Sequence, residues 1–147
     1  MYDQFIGIDP GKSGGVAIIT RNCQATAHKM PATERDISDL IDSCRQGNVI
    51  AYIEKVHSMP RQGVKSTFTF GQNYGFLRGC LISYNIRFVD VRPNQWQKYL
   101  QCQTKGDKNV TKGKAQQLFP EMKITHATAD ALLIAEYARR QESFGYS

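Results

Sequence analysis

Ile6-Gly7-Ile8-Asp9-Pro10-Gly11-Lys12-Ser13-Gly14-Gly15 decides the fold. An apolar run ends in a carboxylate, and a Pro-Gly turn and a small-residue loop follow. A second apolar run, Val16-Ala17-Ile18-Ile19, comes next. The pattern predicts a strand, a tight turn and a return strand. Asp9 then stands at a strand end beside an open loop, where a carboxylate can hold a hard cation and glycines admit a phosphate. An ordinary hairpin with one turn Asp has the same local sequence, because Asp, Pro and Gly are common turn residues.

Outward from this stretch, the spans 3–10, 15–20 and 23–30 read as three consecutive antiparallel strands. Thr33-Glu34-Arg35-Asp36 resembles a capping box. Ile37, Leu40, Ile41 and Cys44 recur at helical spacing, predicting a helix over 34–45. Val49-Ile50-Ala51-Tyr52-Ile53 has the dense apolar character of a buried central strand and ends in Glu54. Residues 57–66 read as a polar loop. Phe70, Tyr74, Leu77 and Leu81 predict a helix near 67–84. Gly71, Gly75 and Gly79 form a separate stripe on it, where another backbone is expected to pack. A strand over 86–91 stops at Pro93. Asn94 is placed to cap a short helix holding Trp96. Residues 101–110 read as loose, a helix starts at Thr111, and the last helix runs over about 126–141. The order predicts a mixed five-stranded sheet with helices on both faces.

The chain has 147 residues and a net charge of +6, which predicts one domain and favours a polyanionic partner. Basic residues gather between Arg87 and Lys114: Arg87, Arg92, Lys98, Lys105, Lys108, Lys112 and Lys114. Singly each is a solvated side chain; as a set they suit a phosphate-tracking surface. No stretch has the length of a membrane span, and no signal region is evident at the N-terminus, so a cytoplasmic protein is expected. The four cysteines form no C-x-x-C pair and read as structural thiols.

Asp9 and Glu54 both end apolar strands that a mixed sheet would make neighbours. Two carboxylates that close are unfavourable unless a cation lies between them. Glu54 alone could equally be a solvated strand-end acid. His126 and Asp130 are four apart on one helical face, with alanines between that permit close approach to the sheet. Asp130 also suits a plain helix-start position. Together Asp9, Glu54, His126 and Asp130 make a mostly oxygen ligand set, which suits Mg²⁺ or Mn²⁺ rather than a structural zinc ion. Paired divalent ions held by carboxylates are a means of phosphodiester hydrolysis.

The ordered set of motifs resembles the RuvC-type Holliday junction resolvases of the RNase H-like superfamily, most of all short phage-encoded members. The matching stretches are Ile6 to Gly11, Ile53-Glu54, Phe70-Gly71-Gln72-Asn73-Tyr74-Gly75, Arg92 to Lys98, and Ala129 to Ala135. The resemblance implies an RNase H-like α/β fold over residues 1–147. It implies a Mg²⁺-dependent endonuclease, with Mn²⁺ able to substitute, that nicks Holliday junctions and other branched DNA symmetrically as a homodimer in a bacterial or phage-infected cell. Asp9, Glu54 and Asp130 match three of the family's four metal ligands. Many members carry Asp where this chain has Ala127, and His126 offers the fourth ligand instead.

The resemblance also puts Lys98 and Lys112 near the scissile phosphate, Lys112 with a catalytic role, with Lys108 or Lys114 as alternatives for that place; Lys105 joins them as an expected DNA contact from the basic set. Lys12, Arg61, Lys65 and the junction-probing candidates His57 and Phe68 complete the expected DNA contacts. Two other readings stand beside this one. One is a non-catalytic DNA-binding module on a decayed nuclease fold. The other is a fragment of an actin-like ATPase or sugar kinase, whose two lobes would not fit in 147 residues.

Overall fold

The computed structural model describes residues 1–55 and 63–144. Three antiparallel strands open the chain: β1 (Gln4–Asp9), β2 (Gly15–Thr20) and β3 (Ala25–Lys29). Helix α1 (Glu34–Ser43) follows, with Thr33 as its N-cap; the Thr33 hydroxyl accepts from Asp36 N at 3.1 Å. Next come β4 (Val49–Glu54), α2 (Val64–Ser83) and β5 (Arg87–Val91). Helices α3 (Pro93–Tyr99), α4 (Lys108–Leu118) and α5 (His126–Phe144) complete it.

The sheet order is β3-β2-β1-β4-β5, with β1–β4 and β4–β5 parallel and the other pairs antiparallel. This is the expected mixed five-stranded sheet. Alternation along each strand sends two sets of apolar side chains to opposite faces. Phe5, Ala17, Ile19, Ile50 and Tyr52 meet α5 on one face. Ile6, Ile8, Val16, Ala51 and Ile53 meet α1 and α2 on the other. Helix α5 lies chiefly over β1 and β2, with α4 against its outer side.

Four local expectations are corrected. Helix α4 starts at Lys108, not Thr111, because Asp107 caps it; its carboxylate accepts from Asn109 N at 2.9 Å. Residues 108–110 are therefore helical. Arg92, not Asn94, precedes the first turn of α3, and the Gln95 side chain accepts from Arg92 N at 2.8 Å. Helix α2 starts at Val64, so 64–66 are not loop. Finally, nothing among the described residues packs on Gly71, Gly75 or Gly79; a Cβ at any of them would meet open space.

Candidate active site

The site begins with strand register. Ile8 pairs with Ile53 in the parallel β1–β4 ladder, so the next residues, Asp9 and Glu54, are neighbours at the C-terminal edge of the sheet. Adjacent strands are about 4.8 Å apart. Asp9 also pairs with Gly15 across the antiparallel ladder, and the Gly14 N–H closes the turn onto Gly11 O at 3.1 Å. Gly11 holds φ +106°, a left-handed conformation that explains a glycine there.

The third carboxylate comes from α5, and two glycines admit that helix. A Cβ on Gly7 would collide with the α5 backbone at Ala131 and Ala135, reaching Ala135 Cα at 2.9 Å. A Cβ on Gly15 would meet Ala127 O at 2.6 Å and His28 O at 2.7 Å. The sheet and the Ala-rich start of α5 therefore touch backbone to backbone. Asp130, beside Ala131, is carried to the end of the sheet where Asp9 stands.

The electrostatics record this convergence. Burial raises Asp9 well above the usual carboxylate range, and repulsion from Glu54 and Asp130 raises it further. Burial pushes Glu54 up to about 7; a hydrogen bond from Trp96 opposes that rise and Asp130 adds to it. Asp130 is also raised by burial, against hydrogen bonding from Thr111 and the charges of Lys108 and His126. Asp9 has Glu54 beside it in the sheet and Asp130 on the helix above, and both push it upward.

Two contributors, Trp96 and Thr111, were given no site role in the sequence reading, and a third, Lys108, was placed there only among the DNA-contacting lysines. Trp96 is fully buried, and its Nε1–H donates to Glu54 Oε2 at 2.7 Å. A buried indole N–H needs an acceptor, so the chain's only tryptophan was a legible signal. Thr111 is a buried hydroxyl on α4 near Asp130. Lys108 is the lysine whose charge reaches both Asp9 and Asp130.

Elsewhere the expected residues spread out. His126 is exposed at the start of α5, near enough for its charge to act on Asp130. Lys12 is exposed in the β1–β2 turn, Lys65 and Phe68 are exposed in the first turns of α2, and Lys105 is exposed before α4. Lys98 lines a shallow cavity with Tyr99 and Tyr137, while Lys112 and Lys114 are half-buried on α4. His57 and Arg61 lie outside the described residues.

Among the described residues no three His, Cys, Asp or Glu side chains stand at metal-holding spacing. The donor set nonetheless fits a hard cation. Asp9, Glu54 and Asp130 are oxygen donors; Glu54 and Asp130 raise Asp9, Asp130 raises Glu54, and a divalent ion would offset that repulsion.

No family model matches the chain, and no curated protein matches it by sequence. Solved structures do. RuvC of Thermus thermophilus in complex with a Holliday junction substrate superposes with a TM-score of 0.66 at 15% identity, covering 98% of this chain and 97% of that one. A second Thermus thermophilus RuvC structure gives 0.64 at 14% identity, with 97% and 96% covered. The yeast mitochondrial Holliday junction resolvase Ydc2 gives 0.48 at 14% identity, with 96% and 81% covered. The two RuvC matches establish a shared fold, the RNase H-like α/β architecture of RuvC.

Proposed function

We propose that this protein is a divalent-metal-dependent endonuclease that nicks Holliday junctions and related branched DNA. The observation that carries the reading is the convergence of Asp9, Glu54 and Asp130 at one sheet edge, bought at the cost of raised carboxylate pKa values. Fold likeness to RuvC over nearly the whole chain supports it.

In this reading Asp9, Glu54, Asp130 and His126 hold Mg²⁺, for which Mn²⁺ can substitute. The bound ions supply Lewis acidity for phosphodiester hydrolysis. Trp96 fixes the orientation of Glu54 from within the core. Lys108 brings positive charge toward the carboxylates, which lowers their pKa and favours an approaching phosphate. Lys112, Lys98, Lys105 and Lys114 track the DNA backbone, with Lys12, Lys65 and Phe68 reaching it from the sheet edge and α2. His57 and Arg61 belong to the same expected footprint.

Symmetric nicking calls for a homodimer with two matching sites. The exposed stripe Val64, Phe68, Gly71, Gly75, Gly79 and Ile82 runs along one side of α2 and suits an isologous helix contact. Sedimentation of wild type and of Gly75→Leu tests this; a monomeric wild type excludes it. The setting inferred is the cytoplasm of a bacterial or phage-infected cell. No described helix is long and apolar enough to cross a membrane.

One observation favours a second reading, a non-catalytic DNA-binding module: the described acids do not stand at metal-holding spacing. A cleavage panel decides between them. Four-way, three-way, flap and linear DNA are incubated with wild type and Asp9→Asn, with Mg²⁺ or with chelator. The nuclease reading expects Mg²⁺-dependent nicking of branched DNA by wild type alone, with binding kept by Asp9→Asn. Junction binding without nicking by wild type selects the module.

A further inference from the structure

Helix α5 lies chiefly over β1 and β2, which leaves the β5 side of the same sheet face largely uncovered. Val89 stands there 40% exposed, beside its register partner Tyr52. The Tyr52 ring meets Tyr137 of α5 edge-on at 5.8 Å, and Tyr137 meets Tyr99 of α3 edge-on at 5.3 Å. The three rings run from the buried sheet to the surface, where Tyr99 is 46% exposed. An edge-on contact uses at most one face of the Tyr99 ring. Gln95, Lys98, Tyr99, Tyr137 and Gln141 line a shallow groove of about 500 Å³ between α3 and α5.

We infer that this groove takes an unpaired stretch of DNA strand, with a base stacked on Tyr99 and a backbone phosphate on Lys98. This rests on the nuclease reading and deepens it, by giving the substrate a single-stranded element with its own place on the protein. A duplex stacks its bases on one another and presents phosphates outward, which lysines alone can follow. An unpaired base offers a free π face, and an exposed ring beside a cation suits it. The charges agree. Lys98 is exposed at the groove, and the two acids in the second half of α5 are both engaged. Glu142 accepts from the Tyr52 hydroxyl at 2.7 Å, and Glu136 is held by Arg139 at 2.7 Å and Arg140 at 2.9 Å. With Arg87 exposed on the uncovered β5 side, the face carries a positive excess. A polyanion complements it; a second copy of this chain, itself at +6, does not. The groove also adjoins the carboxylates. Asp130 and Tyr137 are seven residues apart on one side of α5, about 10 Å along its axis. Trp96, which holds Glu54, is one turn before Tyr99 on α3. At about 3.4 Å per nucleotide, a strand at the carboxylates reaches the groove within about three nucleotides.

The test is fluorescence anisotropy with a labelled oligothymidylate of roughly a dozen nucleotides, a usual single-strand site size, and with a duplex of the same length. Both are titrated in chelator with wild type, Tyr99→Ala, Tyr99→Phe and Lys98→Ala. Tyr99→Ala is expected to weaken single-strand binding roughly tenfold and to leave duplex binding unchanged. Tyr99→Phe, which keeps the ring, is expected to bind like wild type. Lys98→Ala is expected to flatten the slope of log affinity against log salt by about 0.7 on the single strand. Unchanged single-strand affinity in Tyr99→Ala would overturn the groove's role, and so would equal losses on single strand and duplex or a Tyr99→Phe protein as weak as Tyr99→Ala. A wild type that nicks branched DNA with Mg²⁺ yet does not bind the single strand would overturn the groove and leave the nuclease reading intact. A wild type that neither nicks branched DNA nor binds either oligonucleotide would overturn both.

Discussion

Trp96 and Glu54 are joined by a fully buried hydrogen bond, Nε1–H to Oε2 at 2.7 Å, between α3 and the end of β4. The bond opposes the effect of burial on Glu54, whose pKa still reaches about 7. Trp96→Phe removes the donor and leaves the ring's apolar packing largely in place. Glu54 should then rise further. The acid limb of the nicking pH–rate profile should move to higher pH, with roughly tenfold less activity at neutral pH for each unit moved. Stability should fall by about 1–3 kcal/mol. Superimposable acid limbs for the two proteins would show that the indole does not tune Glu54.

Stability itself should depend on pH through Glu54. Its folded pKa, about 7, lies above the ordinary value of 4.5. Between those values the folded chain holds a proton that the unfolded chain has released. Stability is therefore highest below the ordinary value and declines as pH rises through this window. Asp9 and Asp130, also raised, act in the same direction. In chelator, the melting temperature should drop by roughly 5 °C or more from pH 5 to pH 8. Mg²⁺ or Mn²⁺ should restore most of that loss at pH 8, where the carboxylates are free to ligate. A flat melting curve across this range would contradict the buried-carboxylate description.

Gly7 and Gly113 should respond in opposite ways to alanine. At Gly7 the added methyl group meets the backbone of α5, which has no side chain to move aside. Gly7→Ala should cost about 3 kcal/mol and weaken nicking, since α5 carries Asp130. At Gly113, inside α4, a Cβ meets nothing within 4 Å among the described residues. Gly113→Ala should stabilise by roughly 0.5–1 kcal/mol through helix propensity. Chemical denaturation of both variants measures this; equal effects would mean that α5 does not seat on β1 as described.

Lys108 and Lys112 separate two roles on α4. The charge of Lys108 acts on Asp9 and Asp130. Lys108→Ala should raise both carboxylates further and reduce nicking by roughly a hundredfold. Lys112→Ala should act mainly through binding, flattening the salt slope by about one. Single-turnover nicking and junction titrations of the two variants distinguish these outcomes. A greater loss of single-turnover rate in Lys112→Ala would reverse the assignment.

The sequence by itself determined the strand and helix order, because period-two and period-3.6 apolar patterns are local properties of the chain. It also marked Asp9 and Glu54, since each ends an apolar run, and Asp130, since alanines surround it in a helix. Helix starts were less legible. Asp107 rather than Thr111 sets the start of α4, and the choice turns on which side chain reaches a free backbone N–H. The Gly7–Ala131–Ala135 contact joins residues more than 120 positions apart, so only the packed sheet and helix show why Gly7 has no side chain. Tertiary structure also paired Trp96 with Glu54 and directed the charge of Lys108 toward Asp9. Burial, hydrogen bonding and electrostatic coupling depend on distance in space, and spacing along the chain does not encode that distance.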